Sequence, residues 1–397
     1  MKLPIYLDHQ ATTPVDSEVL KEMLPYFTEK FGNASSRHHE FGWTADSAVE
    51  NARSMIAALI GAQPKEIVFT SGATESNNLA IIGGARSYRD RGRHIICTSV
   101  EHASVLSAVE SLKMEGFDVT ILPVDRDGLI TLETLKNAIR PDTILVSVIH
   151  ANNEVGSINQ IQELAAYTKS KNILFHTDAS QSVGKIPFSV IDLGVDLASL
   201  SSHKIYGPKG VGALYVRSKR PKIYLDPILH GGGHEQGLRA GTLNVPGIVG
   251  FGKALEIACS HLAIESARIT SLRERLYQGL SRSISGVKLN GCSTQRIPGN
   301  LNIYIPGALG NALMMANPEI AFSSSSACSE ADGKPSHVLR EMGLTDEQAA
   351  SCIRFGVGRT TTTEEIDYVI EKISKTALEL RQLIFQSEVN EQEEIRP

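Results

Sequence analysis

Short apolar runs in this chain end repeatedly in side chains able to do chemistry. EIVFT (66–70) is followed by Ser71-Gly72-Ala73-Thr74 and then by a segment of helical period. A glycine turn at a helix N-terminus offers free backbone N–H groups and a hydroxyl, which suits a phosphate dianion. The same residues would serve equally as a plain helix cap. NILFHTD (172–178) closes on Asp178, with Gln181 three residues on. A carboxylate there can pair with a protonated ring nitrogen and keep a pyridine cationic, or it can cap the next helix. DLASLSS is followed by His203-Lys204 and then by the glycine-rich GPKGVGALYV. A lysine pressed between a buried strand and such a turn is desolvated, which lowers an amine's pKa toward Schiff-base reactivity. Phosphate turn, ring-nitrogen carboxylate and lysine, in this chain order, have a pyridoxal 5′-phosphate site as their simplest joint explanation. His102 follows HIICTSV (94–100) directly. Alone it reads as a satisfied polar residue; beside the other three it reads as a group that stacks on a cofactor ring and transfers a proton.

The elements that must hold these residues follow from hydrophobic period. DVTILPV (118–124) and TILVSVI (143–149) join the three runs above and HIICTSV as expected strands, and segments such as SNNLAIIGGARSYRD and IQELAAYTKSK between them have helical period. That alternation predicts an α/β fold with a mainly parallel sheet covered by helices on both faces. In such sheets ligands sit beyond the carboxyl ends of the strands, where these residues fall. From about Pro246 the pattern changes to long helical stretches, then to the strand-like VKLNG and GNLNIYI, then to a final helix from Thr363. The expected division is a large domain over 15–257 and a smaller α/β domain formed by 1–14 and 258–397. The tail QSEVNEQEEIRP is polar and expected to fray.

With 397 residues and 42% hydrophobic content the chain can bury a deep site, and its formal net charge of −5 offers no basic field for nucleic acid or anionic lipid. Five widely spaced cysteines without C-x-x-C indicate neither a disulfide framework nor a zinc site, and no metal site is expected. MKLPIYLDHQATTP has no apolar core of signal-peptide length, and no apolar run approaches the ~18 residues of a membrane span. A soluble, cytoplasmic protein with small-molecule and protein partners is the expectation.

The motifs YLDHQATTP, FTSGATESNNLAI, EHASVL, ANNEVG, FHTDASQSVGK, SSHKIYGPKGVGALYVR, GGGHEQGLRAGT, SSSSACSEADGKPSHVLREMG and IRFGVGRTTTTEEID, spread over nearly the whole chain, resemble the cysteine desulfurases of the NifS/IscS type within the class V aminotransferase group. The resemblance implies a fold-type-I pyridoxal-phosphate homodimer with its site at the subunit interface. It implies that Lys204 is the Schiff-base lysine, His102 the stacking acid/base, Asp178 the ring-nitrogen partner and Gln181 the neighbour of the ring hydroxyl. Phosphate contacts are implied for Ala73, Thr74, Ser201 and His203, and for Thr242 reaching in from the second subunit. Asn153 is implied near cofactor and substrate, Arg354 as the clamp for the carboxylate of L-cysteine, and Cys328 as the nucleophile. This chain departs from the usual family pattern at His9-Gln10, at GNASS for the commoner GNPSS, and at Ser325 where a glycine is usual. Its tail lacks the histidine-rich ending of some relatives.

The small polar residues around Cys328 bury little apolar surface and are expected to form a mobile loop, so that the thiol can reach the substrate's sulfur and carry it outward. Cys97, in a strand, and Cys259, in a helical segment, read as core residues. Another pyridoxal-phosphate reaction would have no need for Cys328, and a catalytically idle scaffold would need neither Cys328 nor Arg354. Selenocysteine lyase activity and the identity of the sulfur acceptor, an iron–sulfur scaffold or another, stay open from sequence.

Overall fold

The computed structural model describes residues 2–219, 221–324 and 335–394, with side chains through 383. Cys328 and Ser325 lie outside the described residues. The strands that matter for the site are β1 (Ile5–Tyr6), β2 (Ile67–Thr70), β3 (His94–Thr98), β4 (Asp118–Leu122), β5 (Thr143–Ser147), β6 (Leu174–Asp178), β7 (Leu197–Ser201) and β8 (Gly212–Val216). The C-terminal third adds β9 (Lys288–Leu289), β10 (Asn300–Tyr304), β11 (Ile320–Ala321), β12 (Ser323–Ser324) and β13 (Cys352–Gly356).

A seven-stranded sheet of order β2-β8-β7-β6-β5-β3-β4 forms the centre. The β7-β6-β5-β3-β4 pairings are parallel, and β8 alone runs against its neighbours β2 and β7. The mainly parallel sheet expected from sequence is therefore present, with one addition. GALYV, expected from its glycines to belong to a turn, is β8, and all five of its residues are buried. Gly212 opens this strand because a Cβ there would sit 2.5 Å from the Leu200 carbonyl oxygen and 2.7 Å from the Gly72 Cα.

Successive strand residues point to opposite faces, and here both faces are apolar. Phe69, Ile96, Val146, Phe175 and Ala198 join the core under the helices Glu40–Leu59 and Val245–Ser260. Val68, Ile95, Leu145, Leu174 and Leu197 join the other, under the helix Ala103–Lys113 and the helical run Ala73–Ser87. Burial on both faces leaves the strand ends as the places where polar residues can be tolerated. The strands also stop short of the apolar runs seen in sequence: Ser99-Val100 after β3 and Val148-Ile149 after β5 lie beyond the strand ends and lead to His102 and Asn153.

A second sheet, order β12-β13-β10-β9, packs against the helices Leu262–Ser283 and Thr363–Glu394 through Leu272, Leu276, Leu280, Leu301, Phe355, Ile366 and Val369. The N-terminus joins it: β1 pairs with β11, and Asp8 bridges to Gly356. The stretch read as one long helical segment from Pro246 is two helices with a 74° bend between them, so its first half, Val245–Ser260, belongs to the core of the large sheet. Among the described residues no single helix is long and apolar enough to cross a membrane.

Candidate active site

The carboxyl ends of β2, β3, β5, β6 and β7 open into one cleft of about 830 Å³. Ala73, Thr74, His102, Asn153, Asp178, Gln181, Ser201, His203, Lys204 and Arg354 all line it. Ser336 and His337, just after the undescribed segment that contains Cys328, line it too. Thr242 does not; it is exposed outside the cleft of its own chain.

The turn after β2 holds Gly72 at φ +151°, and the helix beginning at Ala73 has no side-chain cap. Its first N–H groups are thus open to an anion, aided by the helix dipole. Beside it, His203 is pushed down to about 4 by burial and by Lys204, so near neutral pH it can hydrogen-bond a phosphate but adds no charge. Lys209 also lines this end of the cleft.

Asp178, 4% exposed, accepts the backbone N–H and hydroxyl of Ser180 on Oδ1 at 2.9 and 2.6 Å, and Asn77 Nδ2 on Oδ2 at 2.8 Å. These bonds aim a carboxylate, rather than use it as a helix cap for a longer element. Gln181 donates from Nε2 to the Gln10 carbonyl at 2.9 Å, and its Oε1 accepts Lys185 Nζ at 2.7 Å. Lys185 is brought down to about 7 by burial and by the neighbouring Lys204 and Arg354.

Lys204 follows β7 in a short 3-10 turn. Its Nζ donates to the carbonyls of Gln10 and Ala11, both at 2.7 Å, so the N-terminal segment helps place the amine. Arg354, buried on β13, donates from Nη1 to the Asn153 carbonyl at 3.1 Å and from Nη2 to Asp8 Oδ1 and Ser323 Oγ. Its Nε is buried and has no hydrogen-bond partner among the described residues, and the guanidinium so held lines the cleft. Cys97 and Cys352 are buried, and burial raises both thiols, Cys352 to about 12, so neither is a thiolate near neutral pH.

The sequence reading missed residues that complete this site. Asp8, Asn77, Ser104 and Lys185 touch the expected residues directly. Glu101, wholly buried beside His102, accepts Thr98 Oγ1 and the Ile149 N–H on Oε1, and burial pushes its carboxyl up to about 8. Glu101 and Ser104 flank His102 in sequence, but Asp8 with Arg354 and Asn77 with Asp178 are pairs made across the fold, which a linear motif does not reveal.

Among known proteins, the model of the family described as Aminotransferase class-V matches residues 5–369. A cysteine desulfurase IscS of Anaeromyxobacter sp. (strain Fw109-5) is 53% identical over 383 residues, covering 96% of this chain and 95% of that protein. A solved NifS-like protein superposes with TM-score 0.87 at 40% identity, over 94% of this chain and 98% of its own. SspA in complex with cysteine superposes with TM-score 0.79 at 38% identity, over 89% and 98%.

Proposed function

This chain belongs to the class V aminotransferase family and, within it, to the cysteine desulfurases, and from that premise we propose how its residues do the work. It is a pyridoxal-phosphate-dependent enzyme that takes sulfur from L-cysteine and leaves L-alanine. The observation that carries the reading is the convergence, in one cleft, of an uncapped helix N-terminus, a buried carboxylate, a lysine amine and a buried arginine. That donor set matches, group for group, a phosphate, a ring nitrogen, an aldehyde and a substrate carboxylate.

When bound, pyridoxal phosphate supplies an electron sink that acidifies the substrate's α-proton and loosens its bond to sulfur. In this reading Ala73, Thr74, Ser201 and His203 hold the phosphate. Asp178 would hold the ring nitrogen, Gln181 would serve the ring hydroxyl, and His102 would contact the ring. Lys204 would hold the cofactor through its aldehyde, and Arg354, with Asn153, would orient the substrate carboxylate. The Cys328 thiolate attacks the substrate sulfur; an S–S bond forms as the C–S bond breaks, and the persulfide stays on Cys328.

We also propose the division into a large domain, 15–257, and a small one, 1–14 with 258–397. Its support is that one apolar core runs from Val19 to Ala258, while another gathers Ile5 and Leu7 with residues from Leu272 onward. A homodimer is supported by the exposed Phe27, Phe31, Phe41 and Trp43, and by Thr242, which is exposed and free to complete a neighbour's phosphate site. The cysteines described are unpaired, consistent with a cytoplasmic enzyme that passes sulfur to an acceptor protein such as an iron–sulfur scaffold.

Cys328→Ser tests the reaction. The variant should bind pyridoxal phosphate and L-cysteine yet form neither alanine nor a persulfide, whereas the wild-type peptide containing Cys328 should gain about 32 Da, one sulfur atom. Sulfide and pyruvate released by Cys328→Ser at the wild-type rate would make the enzyme a β-eliminating lyase instead.

A further inference from the structure

His102 is the N-cap of the helix Ala103–Lys113, and the cap fixes where its proton sits. Its Nδ1 accepts the backbone N–H of Ser104 at 3.1 Å. A backbone N–H can only donate, so Nδ1 is bare and the neutral ring carries its proton on Nε2. Ser104 Oγ also meets Nδ1, at 2.8 Å, and must therefore donate to it. The same hydroxyl accepts Asn77 Nδ2 at 2.8 Å, and that nitrogen gives its second hydrogen to Asp178 Oδ2 at 2.8 Å. Every direction in this chain is determined: Asp178 accepts from Asn77, Asn77 donates to Ser104, and Ser104 donates to His102. Asn77 and Ser104 are buried at 0% and 8% exposure, so water does not compete for these bonds.

We propose that Asn77 and Ser104 are positioning residues, which hold the imidazole of His102 in its Nε2–H form and tie its orientation to Asp178. The inference deepens the desulfurase reading and rests on it for its chemical meaning. His102 then serves the reaction as a hydrogen-bond donor through Nε2. It does not serve as a base at that atom, because an Nε2 that already bears the ring's proton has no lone pair to accept another.

The test is nitrogen NMR of the holoenzyme, labelled with 15N at histidine and without substrate, with the His102 signal assigned by its loss in His102→Gln. The expected signal is that of an Nε2–H neutral ring; a ring protonated on Nδ1 overturns the proposal. Ser104→Ala keeps the backbone cap and removes the hydroxyl, and Asn77→Ala removes the link to Asp178. Both should lower kcat for alanine formation about 10- to 100-fold, the scale of a misplaced reacting group, with KM for L-cysteine within about twofold. Ser104→Thr, which restores the hydroxyl, should recover most of the loss. Variants that lose thermal stability while kcat and the His102 signal stay as in wild type would show a structural role only and overturn the proposal. An enzyme inactive on L-cysteine that still shows the Nε2–H signal would sink the functional reading and leave this one standing.

Discussion

Arg354 on β13 donates from Nη2 to Oδ1 of Asp8 at 2.9 Å, joining residues 346 positions apart at the edge of the cleft. Both ends of the chain thereby meet where the substrate carboxylate is expected. The ion pair holds the guanidinium in one orientation at the wall of the cleft.

Arg354→Lys keeps the charge but removes the planar fork. KM for L-cysteine should rise about tenfold or more, about 1.4 kcal/mol, while pyridoxal-phosphate affinity stays as in wild type. Steady-state kinetics with a cofactor titration read both quantities, and an unchanged KM removes Arg354 from substrate binding.

Lys204 is only half-buried and lines the cleft rather than a core, so its replacement should leave the fold intact. Borohydride reduction of the wild-type holoenzyme should fix the cofactor covalently to the Lys204 peptide. Lys204→Ala should show no such adduct by mass spectrometry and no turnover of L-cysteine. An adduct that persists on another lysine would reassign the attachment site.

Burial raises the Glu101 carboxyl to about 8, so between its ordinary range near 4.5 and 8 the folded chain keeps a proton that the unfolded chain has lost. The stability this contributes is complete below about 4.5 and is lost as pH rises through 8. Glu101→Gln keeps an acceptor for Thr98 and Ile149 but cannot ionise. It should flatten the pH dependence across that window by up to about 1.4 kcal/mol per pH unit, and urea unfolding from pH 5 to 9 measures it. Parallel curves for wild type and variant would show that Glu101 is ionised throughout.

Glu235, held at φ +48°, pairs with Arg53 at 2.7 Å and accepts the Phe69 N–H, pinning the 231–243 loop to β2. Arg239 of that loop also pairs with Glu75 behind the phosphate turn at 2.9 Å. Glu235→Ala removes the buried partner of Arg53 and leaves it only the half-exposed Glu50 at 2.9 Å, which should cost up to about 3 kcal/mol. Because Thr242 lies in the same loop, dimerisation and cofactor affinity should weaken with it. Denaturant midpoints and analytical ultracentrifugation check the two effects, and a variant as stable as wild type would contradict the role given to this pair.

What the sequence by itself determined is the periodic and the local. Apolar runs such as EIVFT and NILFHTD can only be interior strands of a doubly covered sheet, and a polar residue placed right after one must face the strand-end cleft. Ala73, Thr74, His102, Asp178 and Lys204 were legible on that ground, whereas Ser201 and His203 came only with the family resemblance. GALYV was not, because a strand preceded by glycines looks like the turn that introduces it. The tertiary structure alone decided the pairings across the chain: Asp8 with Arg354, Asn77 between Asp178 and Ser104, and Lys185 behind Gln181. Residues close in sequence announce themselves through period and spacing. Residues brought together by the order of strands in a sheet leave no such trace, because the order is fixed by which apolar faces pack and not by any local motif.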